Sequence, residues 1–219
     1  MKKKQQKKWI SLMLVAILVL GAALGTWLFF GSATSFSEKS VFITVDDTNR
    51  NKSAFIASLA EANILQFPSL LGIAGAPINL WDKMKNGKYE IKKGQSIIDI
   101  VRMLKNGKRA EVKLVINKLR TKQDFASLIA KTFATDSSKV YSFLSSNDSL
   151  QLIGTDTTML FTKIIPNTYR FYADAGMETI LKKLVTETND FWNEKNRKEK
   201  AAAKNLSTEA VYTLASIVE

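Results

Sequence analysis

The sequence predicts an α+β protein that begins with a single transmembrane helix. Three observations lead to this prediction. An apolar run occupies residues 9–30, three strand-like segments are each followed by a helix-like segment within residues 41–133, and helical patterns dominate after residue 177. The last part of the chain therefore adds helices to a mixed arrangement of strands and helices.

The N-terminal segment has the composition of a membrane anchor. Residues 9–30 carry no charge and would extend about 33 Å as a helix, enough to cross a hydrocarbon core of about 30 Å. The lysine-rich tail, residues 1–8, predicts a cytoplasmic N-terminus. A cleaved signal peptide is the alternative, but its apolar region is about 7–15 residues long and no A-x-A site follows here. We predict a single-pass protein of the cytoplasmic membrane, with the part after the small polar linker 31–39 on the outer or periplasmic side.

Residues 40–110 are predicted to form a small α+β module. VFITV (41–45) is a β-branched run typical of a strand, and apolar residues at helical spacing follow it over 53–65. KYEIKKG (88–94) alternates like a half-buried strand. Ser96 is placed to cap the helix that follows, which ends in glycine.

Residues 111–219 begin with a third strand-and-helix pair and form the second predicted domain. EVKLVIN (111–117) precedes a helical pattern over 121–133, with Thr121 as its cap. Three such pairs indicate a small α+β arrangement, although compact packing without any repeat predicts the same spacing. An aromatic segment, IIPNTYRFY (164–172), then precedes the late helices.

Three helical segments are predicted after the aromatic segment. Residues 177–192 have an apolar stripe, 193–204 are charged and are predicted to form a solvated helical extension, and Ser207 caps a last helix. The last helix has one apolar stripe, predicted to be buried, at helical spacing: Val211, Leu214, Ala215 and Val218.

Composition excludes several chemistries. The chain has no cysteine and no histidine, so thiol nucleophiles, Ser-His-Asp triads and Cys/His zinc sites are absent from this sequence. Any acid–base catalysis would therefore use Asp, Glu, Lys or Tyr side chains. No cofactor or metal is expected. The net charge of +12 permits a nucleic-acid stripe or a solvated basic surface. No recognised motif supports the first, so we predict no nucleic-acid partner.

Glu219 is the candidate catalytic residue of the last helix. The helical period places it on the flank of the apolar stripe, above Ala215 and beside Tyr212, with Ser216 one step further round. A carboxylic acid half-sunk in apolar surroundings has a raised pKa, which suits a general acid near neutral pH. A solvated glutamate at a helix boundary is the alternative.

Four features together resemble the endolytic murein (peptidoglycan) transglycosylase family, YceG-like or MltG-like, over nearly all of residues 5–219. They are the anchor, the GKYEIKKGQSIIDIVRML block, the IPNTYRFY segment and LASIVE. The resemblance implies that Glu219 is the catalytic acid. It also implies that 40–110 is a LysM-like glycan-binding module and that the IPNTYRFY segment lines the glycan cleft of a mixed α/β catalytic domain.

Five further residues are predicted to contact the glycan. They are Asn167, Thr168, Tyr169, Tyr212 and Ser216. The rings of Tyr169, Phe171 and Tyr172 are predicted either to stack on sugars or to serve as core or rim aromatics. Asn167 and Thr168 are predicted either to hydrogen-bond the glycan or to hold the turn after Pro166.

Two departures from the family pattern stand out. Asn117–Lys118 replaces a Glu-Gly pair, so this turn is assigned no role. The sequence also stops at Glu219, whereas the family's catalytic domain continues, so we expect the domain to be incomplete and residues 1–219 to be inactive by themselves.

The resemblance implies a function in the cell wall. The expected reaction is lytic cleavage of the MurNAc–GlcNAc bond of nascent peptidoglycan to 1,6-anhydro-MurNAc ends, which would terminate glycan elongation. Peptidoglycan strands, the membrane and peptidoglycan synthases are the implied partners. The alternatives are a non-catalytic, membrane-anchored glycan-binding protein and an anchored scaffold for cell-wall synthases.

Overall fold

The computed structural model describes residues 2–218, and the side chains of Trp9 and of residues 12–218. The chain divides into two compact units between Ala110 and Glu111. The predicted catalytic Glu219 lies outside the described residues. Each unit has its own hydrophobic core, so each is described by itself below.

Helix α1 (Lys2–Phe30) is the candidate membrane span. Its stretch Leu12–Phe30 is 19 residues long, about 28 Å at the α-helical rise, and none of that stretch is buried. Large apolar side chains are exposed on all its sides, as a helix surrounded by lipid requires. The helix is therefore long and apolar enough to cross a membrane.

The segment 31–39 is not a plain linker, and this prediction is wrong. Two hydrogen bonds attach its backbone to the rest of the first unit. The amide of Ser35 donates to the carbonyl of Ile64 at 3.0 Å, and the amide of Gln66 donates to the carbonyl of Ala33 at 2.9 Å. Ala33 is also buried. Small side chains let the two backbones approach, so the composition that suggested a linker instead permits this close pairing.

The first unit packs helices on a two-stranded antiparallel sheet. Strand β1 (Ser40–Val45) pairs with β2 (Gly87–Lys92), with Val41 opposite Ile91. Its helices after α1 are α2 (Lys52–Glu61), α3 (Ser69–Gly75), α4 (Leu80–Lys83) and α5 (Ile97–Lys105). The predicted cap is confirmed, since the amide of Asp99 donates to Ser96 Oγ at 3.2 Å and begins α5.

The second unit contains another two-stranded sheet. Strand β3 (Glu111–Ile116) pairs antiparallel with β4 (Asn167–Tyr172), so the aromatic segment forms a strand. Between them lie α6 (Lys122–Phe133), α7 (Ser137–Leu144) and α8 (Asn147–Gln151), and Thr121 caps α6 as predicted. The three strand-and-helix pairs therefore do not share one sheet, because the third strand pairs with a segment far along the chain.

The charged segment 193–204 is not a simple extension of the preceding helix. Helix α9 (Met177–Asn193) ends, the chain turns through left-handed conformations at Lys195 and Asn196, and helix α10 (Arg197–Ala202) begins. The Arg197 guanidinium lies 4.0 Å from the centre of the Phe191 ring and donates to the Phe191 carbonyl at 2.6 Å. These contacts hold the chain after the turn against α9. The segment is helical and mostly exposed, as predicted, but it does not continue the preceding helix.

Helix α11 (Thr208–Val218) is attached mainly through its first half. Ser207 caps it as predicted, accepting from the amide of Ala210 at 3.1 Å. The predicted buried stripe is wrong, because Leu214 is 51% exposed and Val218 is 87% exposed. Within residues 2–218, no element packs on the C-terminal half of this helix to cover the stripe.

Candidate active site

Hydrogen bonds connect the last helix to the residues just before the IPNTYRFY strand. Three side-chain hydroxyls donate to three successive backbone carbonyls just before β4. The bonds run from Thr188 to Lys163 (2.9 Å), from Tyr212 to Ile164 (2.9 Å) and from Tyr169 to Ile165 (2.6 Å). Since these donors come from α9, α11 and β4, the segment 163–165 joins the last helix to the IPNTYRFY strand.

An ion pair strengthens the attachment of α11. Lys163 Nζ lies 2.6 Å from Glu209 Oε1, and both side chains are mostly buried. The hydrogen bond from Lys163 lowers the pKa of Glu209 to about 2, with a further contribution from the backbone. Glu209 is therefore ionised at neutral pH, and a negative charge in the first turn also suits the helix dipole.

Tyr169 belongs to the core of the second unit. Tyr169 is 3% exposed, and its ring packs near the ring of Phe171, with the two ring centroids 6.5 Å apart. Burial raises the pKa of Tyr169 to about 12, with smaller contributions from Glu187 and Tyr212. No ring face of Tyr169 or Phe171 is open to a sugar, so the core alternative holds for both residues.

The other predicted contact residues lie nearer to solvent. Asn167 and Thr168 are exposed at the start of β4, and Asn167 Oδ1 accepts from the amide of Thr168 at 2.7 Å. Tyr172 is 45% exposed at the end of the same strand. Ser216 is exposed and its hydroxyl donates to the carbonyl of Thr213 at 2.8 Å. A glycan-binding role for these residues remains a prediction.

A groove of about 480 Å³ opens beside α11. Its apolar wall is formed by Ile165, Phe191, Trp192, Ala201, Val211 and Ala215. Arg197, Lys200 and Lys204 also line it, together with Tyr212. We call this cavity the basic groove.

Sequence reasoning missed the basic groove. Its cationic side chains come from the charged segment that the sequence predicts as a solvated extension. The aromatic pair Phe191–Trp192, followed by Arg197, was the available signal, because aromatic rings and guanidinium groups stack readily. No group of three acidic side chains placed to hold a metal ion occurs among residues 2–218.

Removing the Tyr212 hydroxyl tests the attachment of α11. Tyr212→Phe keeps the ring but loses the bond to the Ile164 carbonyl, which is worth about 1 kcal/mol. We expect backbone amides of residues 211–218 to exchange hydrogen roughly fivefold faster, measured by mass spectrometry. Tyr141→Phe is the control, since Tyr141 is exposed and its hydroxyl accepts a long bond of 3.4 Å from Gln123. Unchanged exchange in Tyr212→Phe, or equal acceleration in both variants, would contradict this role.

Comparison with known proteins places these features in context. The model of the YceG-like family matches residues 43–219. Among solved structures, the chain is similar to a YceG-like protein from Listeria monocytogenes, with 17% sequence identity, a TM-score of 0.35, and coverage of 78% of this chain and 61% of that chain. The chain thus spans less than two thirds of the length of that relative. A search of the curated proteins gives no match.

Proposed function

The chain belongs to the YceG-like family, which is associated with lytic transglycosylase activity, and from this premise we propose a membrane-anchored, endolytic peptidoglycan transglycosylase. The observation that supports the proposal most directly is the bond from Tyr212 to the Ile164 carbonyl. It ties the last helix to the residue that directly precedes the IPNTYRFY segment. Residues from these two motifs would line the glycan cleft.

The proposed chemistry needs one carboxyl group. Glu219, protonated, gives its proton to the glycosidic oxygen between MurNAc and GlcNAc while the C1–O bond breaks. The resulting carboxylate takes a proton from the C6 hydroxyl of MurNAc, whose oxygen bonds to C1 and closes the 1,6-anhydro ring. Glu219 ends protonated, as it began, and no water is consumed. A second carboxylate, which ordinary glycosidases need, is not required.

The protonated state of Glu219 needs an apolar environment. The predicted buried stripe would have supplied it, but the C-terminal half of α11 is exposed as far as Val218. In our proposal the bound glycan displaces water from this side of the helix, which favours the uncharged acid.

Anchoring would hold the enzyme close to nascent strands. Helix α1 crosses the membrane in this proposal, with the basic tail in the cytoplasm and the chain after residue 30 outside. Residues 40–110 would act as a LysM-like module that binds glycan. Peptidoglycan strands are the proposed substrate, and synthases that make them are the proposed partners.

A non-catalytic, anchored glycan-binding protein is the alternative. In that case the first unit alone would bind glycan.

Product analysis tests the proposal. The complete product of the gene is incubated with purified peptidoglycan, and the fragments are identified by mass spectrometry. We expect 1,6-anhydro-MurNAc ends. Hydrated reducing ends would contradict the lytic mechanism, and glycan binding without cleavage would support the alternative.

A further inference from the structure

Residues 62–81 form an uncharged stretch of the first unit that the proposed function does not use. No Asp, Glu, Lys or Arg occurs in this stretch, which includes α3. Two of its large apolar side chains face solvent, since Phe67 is 49% exposed and Ile73 is 60% exposed. Ala76, one turn beyond Ile73, is exposed as well. We call the surface formed by Phe67, Ile73 and Ala76 the α3 face. Exposed apolar surfaces of this kind mark contacts with a protein or a membrane.

The last turn of α1 lies beside the α3 face. Trp27 and Leu28 of α1 line a small cavity together with Phe67 and Leu70. The segment 31–39, which follows α1, is hydrogen-bonded to the same unit. The end of the candidate span is therefore joined to this surface by packing and by the backbone, without a free linker between them.

The position of Trp27 along the span sets the depth of the α3 face. The candidate span ends at Phe30, so Trp27 lies about 5 Å before its end at the α-helical rise. The hydrocarbon core of a bilayer is about 30 Å thick, and the headgroup regions extend the bilayer to about 40–45 Å. A side chain beside Trp27 therefore reaches the boundary between hydrocarbon and headgroups, where aromatic rings are favoured.

We propose that the α3 face lies in the interface of the membrane that α1 spans, with Phe67 and Ile73 between the lipid headgroups and the upper acyl chains. The bilayer is the occupant of this surface because the end of the span lies next to it. Apolar side chains gain free energy on leaving water, and no charge in residues 62–81 opposes the transfer. The first unit would then rest on the membrane in one orientation. This proposal rests on the membrane anchoring in the proposed function and is independent of glycan cleavage.

Spin labels at single cysteines test the proposal, since the chain has no cysteine of its own. The full chain is reconstituted in vesicles of phosphatidylethanolamine and phosphatidylglycerol. Power saturation then compares collisions of the label with oxygen, which concentrates in lipid, and with a water-soluble nickel chelate. We expect labels at Phe67→Cys and Ile73→Cys to collide several-fold more with oxygen than with the chelate.

The control label is placed at the far end of α5. Ile97, at the start of this helix, lines the same cavity as Trp27. Asn106 is exposed and lies about 14 Å further along the helix. We expect a label at Asn106→Cys to collide more with the nickel chelate than with oxygen. Equal ratios at Asn106 and at the two positions of the α3 face would contradict a localised contact.

Two introduced charges test the contribution of the apolar side chains. A label at Ala76→Cys is expected to favour oxygen in the otherwise native chain and the nickel chelate in Phe67→Asp/Ile73→Asp, because charged side chains are costly to bury in lipid. The matched control is Phe42→Asp/Leu152→Asp, whose apolar side chains are 48% and 64% exposed. We expect this control to retain the preference for oxygen. An unchanged ratio in the first variant, or equal changes in both, would overturn the proposal.

A label at Leu18→Cys, within the candidate span, reports separately on the anchor. Lipid exposure at Leu18 with water exposure at Phe67 and Ile73 would overturn the membrane contact alone. Water exposure at Leu18 would overturn the anchor and the contact together. Shielding of the α3 face from both reagents, with broadening between labels, would indicate a second copy on this surface and would also overturn the proposal. Absence of anhydro-MurNAc products would refute the proposed reaction without changing any of these results.

Discussion

Replacing Glu219 with glutamine is expected to abolish glycan cleavage, with a loss of about 10³-fold or more. The amide keeps the size of the side chain but cannot give a proton to the glycosidic oxygen or take one from the C6 hydroxyl. A positioned general acid contributes about 10²–10⁴-fold, and here the same group acts in both steps. The rate of anhydro-MurNAc formation by the complete gene product, followed by mass spectrometry, measures the effect.

A matched control distinguishes catalysis from a change of charge. Glu178→Gln removes one acid from α9, where Glu178 is half-exposed and pairs with Lys182 at 2.6 Å. An exposed pair of this kind is worth about 0.3–0.5 kcal/mol, so we expect Glu178→Gln to retain near-native cleavage. Glycan binding by Glu219→Gln should also persist. Native cleavage rates in Glu219→Gln would refute the assignment of the catalytic acid.

Truncating Leu114 is expected to cause the largest loss of stability, about 2–5 kcal/mol in the free energy of unfolding of the second unit. Leu114 lies in β3 opposite Tyr169 and is completely buried in the core of that unit. Leu114→Ala removes apolar contacts and leaves a cavity between the sheet and its helices. This core supports β4, which directly follows the segment 163–165 to which α11 is bonded. We therefore also expect α11 to lose its fixed position.

The neighbouring residue provides the control. Val115 is on the opposite face of β3 and is 44% exposed, so Val115→Ala should change stability by less than about 1 kcal/mol. Urea unfolding of the full chain in detergent is followed through the fluorescence of Trp192. This tryptophan reports on the second unit, because Trp9, Trp27 and Trp81 all precede residue 111. Similar unfolding midpoints for Leu114→Ala and Val115→Ala would contradict the assigned burial.

Local features of the fold are predictable because they depend on residues close together in the sequence. The caps Ser96 and Thr121 each lie three residues before an aspartate whose carboxylate completes a capping box. Alternation in KYEIKKG similarly predicts β2, whose Tyr89 and Ile91 are fully buried.

Contacts that periodicity does not specify explain two of the differences between prediction and structure. The small residues near Ala33 have the composition of a linker, but their partners are backbone groups near Ile64. The charged segment after α9 has helical propensity, but Arg197 turns it back onto Phe191. In both cases a partner that periodicity does not specify determined the conformation.

The sequence by itself determined the candidate membrane span, the first three strands and the helix caps at Ser96, Thr121 and Ser207, because periodicity and capping involve neighbours within about four residues. It also contained the motifs that identify the family. Only the tertiary structure decided that β3 pairs with β4, that Tyr212 fixes α11 to the Ile164 carbonyl, and that a basic groove lies beside this helix. These features join segments that are distant in sequence, and they form because packing and hydrogen bonding of whole elements offset the cost of ordering the chain between them.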